Sequence, residues 1–262
     1  WPMRAFGLGV LTVAVFRLLI FDTWVDLDGF TPVLNHRFPT FVAAIAAFFV
    51  AAYLYWRERE HLQEWEAYVA PALAGLANFI TLWLFTAEVI AYFDSRAAAL
   101  VRPAFDSRNE TEAAFNAEVA VWQLASQAAE NGKFLTLTAL WTIYAFGALA
   151  IGFAKRSAPL RWAGLGLLAV PALKLLLFDT FMVRLDPLTF LPVLNFHFLV
   201  FFIVLAVLLA AAYLYRRERQ RLTGQEGYVF LVILVVANLL ALWVFSFEAV
   251  RFFESQEAKL GV

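Results

Sequence analysis

No cysteine occurs in the chain, so there is no disulfide framework, no thiol nucleophile and no thiolate metal site, and the redox compartment leaves no mark. Charge is also scarce, at 16% of residues against about 25% in a typical soluble domain. Lys and Arg number 20 against 21 Asp and Glu, for a net -1. That lacks the basic excess that phosphate binding needs, which excludes a nucleic-acid partner. Histidine is limited to three residues, His36, His61 and His197, which fall at unmatched positions. No metal or haem site, and no cofactor, is expected from them. What fills the space is apolar: 63% of residues are hydrophobic, with 28 Phe and 9 Trp, more than a soluble core could hide. The excess has to face lipid.

Apolar runs at about 5–21, 38–56, 69–93, 134–154, 162–178, 197–215 and 228–253 are each close to the ~20 residues of a spanning helix. The chain is therefore expected to be all-α, a polytopic transmembrane helical bundle. Arg4–Thr23 matches Arg161–Thr180 at a constant offset, with about half the positions identical. After a short insertion in the second copy, Pro32-Val33-Leu34-Asn35 matches Pro192-Val193-Leu194-Asn195, and Tyr53-Leu54-Tyr55 before Arg57 matches Tyr213-Leu214-Tyr215 before Arg217. Ala77-Asn78 with Trp83, Phe85 and Glu88 then matches Ala237-Asn238 with Trp243, Phe245 and Glu248. The copies begin four helices apart, so both run the same way, as parallel repeats do.

Pro159-Leu160-Arg161 precedes the fifth span as Pro2-Met3-Arg4 precedes the first. The expected unit is thus four helices, with the first copy lacking its first helix. Its counterpart is expected upstream of Trp1, in keeping with a chain that starts on Trp and shows no signal-peptide pattern. The expected division is 1–95 as the first repeat, 96–132 as an extracytoplasmic segment and 133–262 as the second repeat. Within 96–132, Ser107 with Glu110 reads as a capping box, Phe115, Val119 and Trp122 as one helical stripe, and Asn131-Gly132 as a stop. An amphipathic helix is expected there, either capping the bundle or covering a substrate.

Short turns with Arg57 and Arg59, with Lys155, Arg156 and Arg161, and with Arg216, Arg217, Arg219 and Arg221 are basic, whereas the turns after the first and fifth spans carry Asp22, Asp26, Asp28, Asp179 and Asp186. The basic turns belong in the cytoplasm, which places the protein across a bacterial cytoplasmic membrane.

The Trp- and Tyr-bearing Leu140-Trp141-Thr142-Ile143-Tyr144, a basic turn, Leu160-Arg161 with Gly164-Leu165, and Lys174 before Phe178-Asp179 resemble the bacterial domain-of-unknown-function family 2339. The likeness covers mainly 134–215 and, through the duplication, 4–55, with Arg17 standing where the second copy has Lys174. It implies a long, many-spanning membrane protein and brings no activity with it.

A charge near the bilayer centre costs roughly 2.5–3.5 kcal/mol, so the intramembrane polar residues are the site candidates: Arg17, Asp22, Glu88, Lys174, Asp179, Glu248, Asn78 and Asn238. Arg17 and Lys174 lie five residues before Asp22 and Asp179, about 7.5 Å along the axis, and at the depth of Glu88 and Glu248. Arg17 is expected to pair with Glu88 and Lys174 with Glu248, with the aspartates competing; the alternative is basic side chains snorkelling to the headgroups. Asn78 and Asn238 suit interhelical packing, and Asn35 and Asn195 suit caps on the helices that follow. The glycines at 7, 9, 164 and 166 suit close helix approach.

Three functions fit. A membrane scaffold or assembly subunit needs no site at all and ranks first. A transporter or lipid-handling protein would need a polar cavity, and a transferase on a lipid-linked substrate would use the aspartates of the turns. The expected partners are the bilayer and either the rest of a longer chain or other membrane subunits.

Overall fold

A computed structural model describes residues 2–104, 111–183, 190–222, 224 and 226–260. The described residues are helical and include no strand, and seven of the helices are long and apolar enough to cross a membrane. They correspond one to one with the seven apolar runs. The chain divides into two compact units, residues 1–99 and 100–262.

In the first unit α1 (Pro2–Ile20), α2 (Arg37–Arg57) and α3 (Val69–Ala98) pack around Val15, Leu18, Phe41, Phe48, Ala52, Leu73, Ala77, Ile80 and Leu84. The α3 members recur every three or four residues, so a single stripe is buried. Phe79, Trp83 and Phe85 on the same helix stay exposed, as lipid-facing side chains do. Charge ends α2 at Arg57-Glu58-Arg59, where the Arg59 guanidinium lies over the Trp56 ring.

The second unit contains α4 (Glu112–Ala154), α5 (Ala158–Lys174), a π-helical turn Leu175–Asp179 running into the single turn α6 (Thr180–Met182), then α7 (Phe196–Arg217) and α8 (Glu226–Leu260). Its core joins Leu135, Ala145 and Leu149 of α4 with Leu168 and Ala172 of α5, Val200, Phe201 and Val204 of α7, and Ala237 and Leu240 of α8. α4 and α5 cross closely. A Cβ at Gly164 would come within 2.8 Å of Leu149 Cα, and one at Gly152 within 2.8 Å of Arg161 N. Close approach was the role expected of Gly164; Gly7, Gly9 and Gly166 have nothing within 4 Å of an added Cβ.

α4 corrects one expectation. It runs unbroken through Asn131-Gly132, so these residues are no stop. A glycine ends a helix by turning left-handed at its C-terminus; inside good helix formers it costs only about 1 kcal/mol, and continuing the helix prevails. Lys133 bridges the place, with Nζ 2.9 Å from Glu130 Oε1. The Phe115, Val119 and Trp122 stripe is half-buried, and Trp122 Nε1 donates to Leu100 O at 3.3 Å. The cap on α4 is Thr111, whose hydroxyl accepts from Ala114 N; Ser107, Glu110 and Asp186 lie outside the described residues.

The π-turn after α5 follows Pro171. α1, where Ala14 takes the matching place, has no π-turn; Phe21 N at 2.8 Å and Asp22 N at 3.3 Å share Arg17 O. The shared Phe-Asp-Thr ending does the same at both places: the Thr23 hydroxyl donates to Leu18 O and the Thr180 hydroxyl to Leu175 O, each five residues back.

Candidate functional site

In each unit one glutamate fixes a strained turn. Leu34 N donates to Pro32 O at 2.8 Å across Val33, whose φ is 68°, and Leu194 N donates to Pro192 O at 2.7 Å across Val193, whose φ is 66°. A two-residue hydrogen bond around a positive φ is the rare, strained hand of γ-turn, and a β-branched residue there costs on the order of 1–3 kcal/mol. Strain of that size persists only where the surroundings hold it.

Here the holding group is a carboxylate from the neighbouring helix. Glu88 on α3, 7% exposed, accepts from Val33 N at 3.0 Å and from Asn35 Nδ2 at 3.0 Å. Glu248 on α8, 5% exposed, accepts from Val193 N at 3.1 Å and from Asn195 Nδ2 at 3.1 Å. The same asparagines cap the next helices, as expected: Phe38 N reaches Asn35 Oδ1 at 3.0 Å and Phe198 N reaches Asn195 Oδ1 at 2.7 Å. The amide thus ties turn, helix start and carboxylate together.

Charge is balanced differently in the two units. Arg37, the first residue of α2, gives Glu88 Oε1 two hydrogen bonds, from Nε at 3.1 Å and Nη2 at 2.7 Å, and Nη1 donates to Thr23 O at 2.8 Å. The matching residue is His197, fully buried against the rings of Phe201 and Phe247, and neither ring nitrogen has a hydrogen-bond partner among the described residues. No ion pair to Glu248 occurs among the described residues.

The basic residues expected to neutralise the glutamates go elsewhere. Lys174 forms an ion pair with Asp179 and donates to Phe134 O at 3.0 Å and to the Thr138 hydroxyl at 2.8 Å; that hydroxyl in turn donates to Asp179. Arg17 lies 3.5 Å from Asp22, with its side chain 74% exposed. The pairings Arg17 with Glu88 and Lys174 with Glu248 are therefore corrected in favour of the aspartates. Equal depth had suggested them, but a partner five residues along the same helix costs less to reach than one across the bundle. Asn78 donates to Ala74 O in its own helix, and Asn78 and Asn238 are both exposed.

Sequence reasoning passed over Arg37, Thr138 and a further pair of carboxylates. Arg161 makes a two-pronged contact with Glu226, 3.1 Å from Nε and 2.7 Å from Nη2, and both are buried. The matching Arg4 lies 3.6 Å from Glu66. Trp83 Nε1 donates to the Thr23 hydroxyl at 3.0 Å, and Trp243 Nε1 to the Thr180 hydroxyl at 3.3 Å. The available signal was that Glu66 and Glu226 keep the spacing of the matched asparagines.

These features define a polytopic membrane protein whose intramembrane charges are satisfied mainly by its own helices and turns. Residues 1–183 match the family DUF2339, described as predicted membrane protein, and the chain belongs to that family. No curated protein and no solved structure matches it.

Proposed function

We propose that the chain is a membrane scaffold or assembly module, built from two parallel copies of one helical unit. It would sit in a bacterial cytoplasmic membrane with its basic turns inside, following the distribution of Lys and Arg. The duplication is supported by the matched segments and by contacts that recur at matched positions, from Glu to the Val amide and from Trp to the Thr hydroxyl.

The observation that carries the scaffold reading is the use made of Glu88 and Glu248. A carrier's intramembrane carboxylate has to exchange its partners, whereas both oxygens of each glutamate here accept hydrogen bonds that hold a strained turn. A second reading, lipid handling, has one feature in its favour. A cavity of about 600 Å³ in the second unit is lined by Phe134, Trp141, Leu173, Leu177 and Phe178, with Lys174 and Asp179 at its wall, and would accept an acyl chain.

The test is proton and solute flux in vesicles containing the purified chain, beside the thermal midpoint of Glu248→Gln. The scaffold reading expects no flux above empty vesicles and a lowered midpoint. Flux that Glu248→Gln abolishes would overturn it.

A further inference from the structure

α1 and α5 are matched in sequence but not in their surroundings. Along the whole length of α5 one face is covered by α4. At one end Arg161 is buried and lies 5.5 Å over the Phe153 ring of α4, and Gly164 touches the α4 backbone at Leu149. At the other end Lys174 donates to Phe134 O and Thr138 of α4, and Asp179 accepts from the same Thr138.

On α1 the equivalents of these residues are open. Arg4 is 42% exposed on its side chain, where Arg161 is 9%. Gly7 has nothing within 4 Å of an added Cβ, where Gly164 is in backbone contact. Arg17 is 74% exposed on its side chain, where Lys174 is 16%. Arg4, Gly7 and Arg17 span most of a bilayer's thickness at 1.5 Å per residue, and each has kept the chemistry its counterpart uses against α4. An exposed Arg paired with Asp is a costly way to face lipid and a sensible way to face a helix, and a glycine on the same face admits that helix closely.

We infer that the Arg4, Gly7 and Arg17 face of α1 is a docking site for one transmembrane helix of the α4 pattern. That helix brings an aromatic ring to Arg4, a close backbone crossing to Gly7, and a carbonyl with a Thr hydroxyl to Arg17 and Asp22. The inference names the partner for the assembly reading and rests on it. α4 is itself taken up by α5, so the occupant is another helix of the same kind.

The chain's lack of cysteine makes the test direct. The full chain carrying Ala14→Cys is placed in phosphatidylcholine and phosphatidylglycerol vesicles with a synthetic peptide of residues 131–157 carrying Thr142→Cys, one turn from Thr138, and then oxidised. Ala14 lies two turns from Gly7 on the same face and already carries a Cβ, so the change leaves the crossing at Gly7 free. Phe16→Cys, on the opposite side of α1, is the control. Disulfide adduct is expected to form at least several-fold more at position 14 than at position 16, and to fall when the peptide also carries Thr138→Val. Equal yields at the two positions, no adduct at either, or a position-14 homodimer as the main product with peptide present would each overturn the inference. Flux in the vesicles would instead count against the assembly reading, so the two failures are distinct.

Discussion

Arg37 Nη2 stands 2.7 Å from Glu88 Oε1, while its counterpart His197 is buried with both ring nitrogens unpartnered among the described residues. The same turn is therefore held by an ion pair in one unit and by neutral donors in the other. The difference is measurable.

Glu248→Gln should cost less than Glu88→Gln. In the first unit the change strands the buried Arg37 guanidinium, a loss of about 3–5 kcal/mol; in the second it weakens hydrogen bonds to neutral groups, a loss of about 1–3 kcal/mol. Detergent unfolding monitored by tryptophan fluorescence checks the order. A larger loss for Glu248→Gln would mean that it carries a charge partner of its own.

His197→Leu should leave the thermal midpoint unchanged or raise it. The imidazole sits edge-on to Phe201 and near Phe247, and replacing it removes two unsatisfied polar atoms at similar volume. A marked fall in the midpoint would show that the nitrogens hold something the protein needs.

Matched glycines should respond with opposite sign. Gly164→Ala drives a Cβ into the α4 backbone at 2.8 Å and should destabilise by ~1–3 kcal/mol. Gly7→Ala meets nothing and should gain up to ~1 kcal/mol from helix propensity when the chain is alone. Equal effects at the two positions would remove the asymmetry between α1 and α5.

Labelling of single cysteines in whole cells should reach Asn116→Cys from outside and Ser157→Cys only after permeabilisation, given the basic turn around Lys155 and Arg156. Labelling of both from one side would refute the orientation.

Much of this was legible in the sequence. Apolar runs gave the spans because a bilayer imposes length, and Asn35 and Asn195 announced their caps because a cap is a local, short-range event. The charge partners were not legible. Depth along a helix is readable, but depth alone set Glu88 and Asp22 in competition for Arg17 and never raised Arg37. What decides among them is the strained turn at Val33, which carries Asn35 and Arg37 back over Glu88. Nothing in a Pro-Val-Leu-Asn string reveals a left-handed valine. Gly132 misled for the reverse reason: its stop signal is local, and the helix around it is not.

Whether the intramembrane carboxylates serve as latches is decided by a double-mutant cycle on Arg37 and Glu88. Arg37→Met, Glu88→Gln and the double variant would be unfolded in the same detergent. Each single change is expected to lose ~3–5 kcal/mol and the double variant far less than the sum, because each partner removed alone leaves the other charge buried. Strictly additive losses, or singles that unfold like the parent, would contradict it.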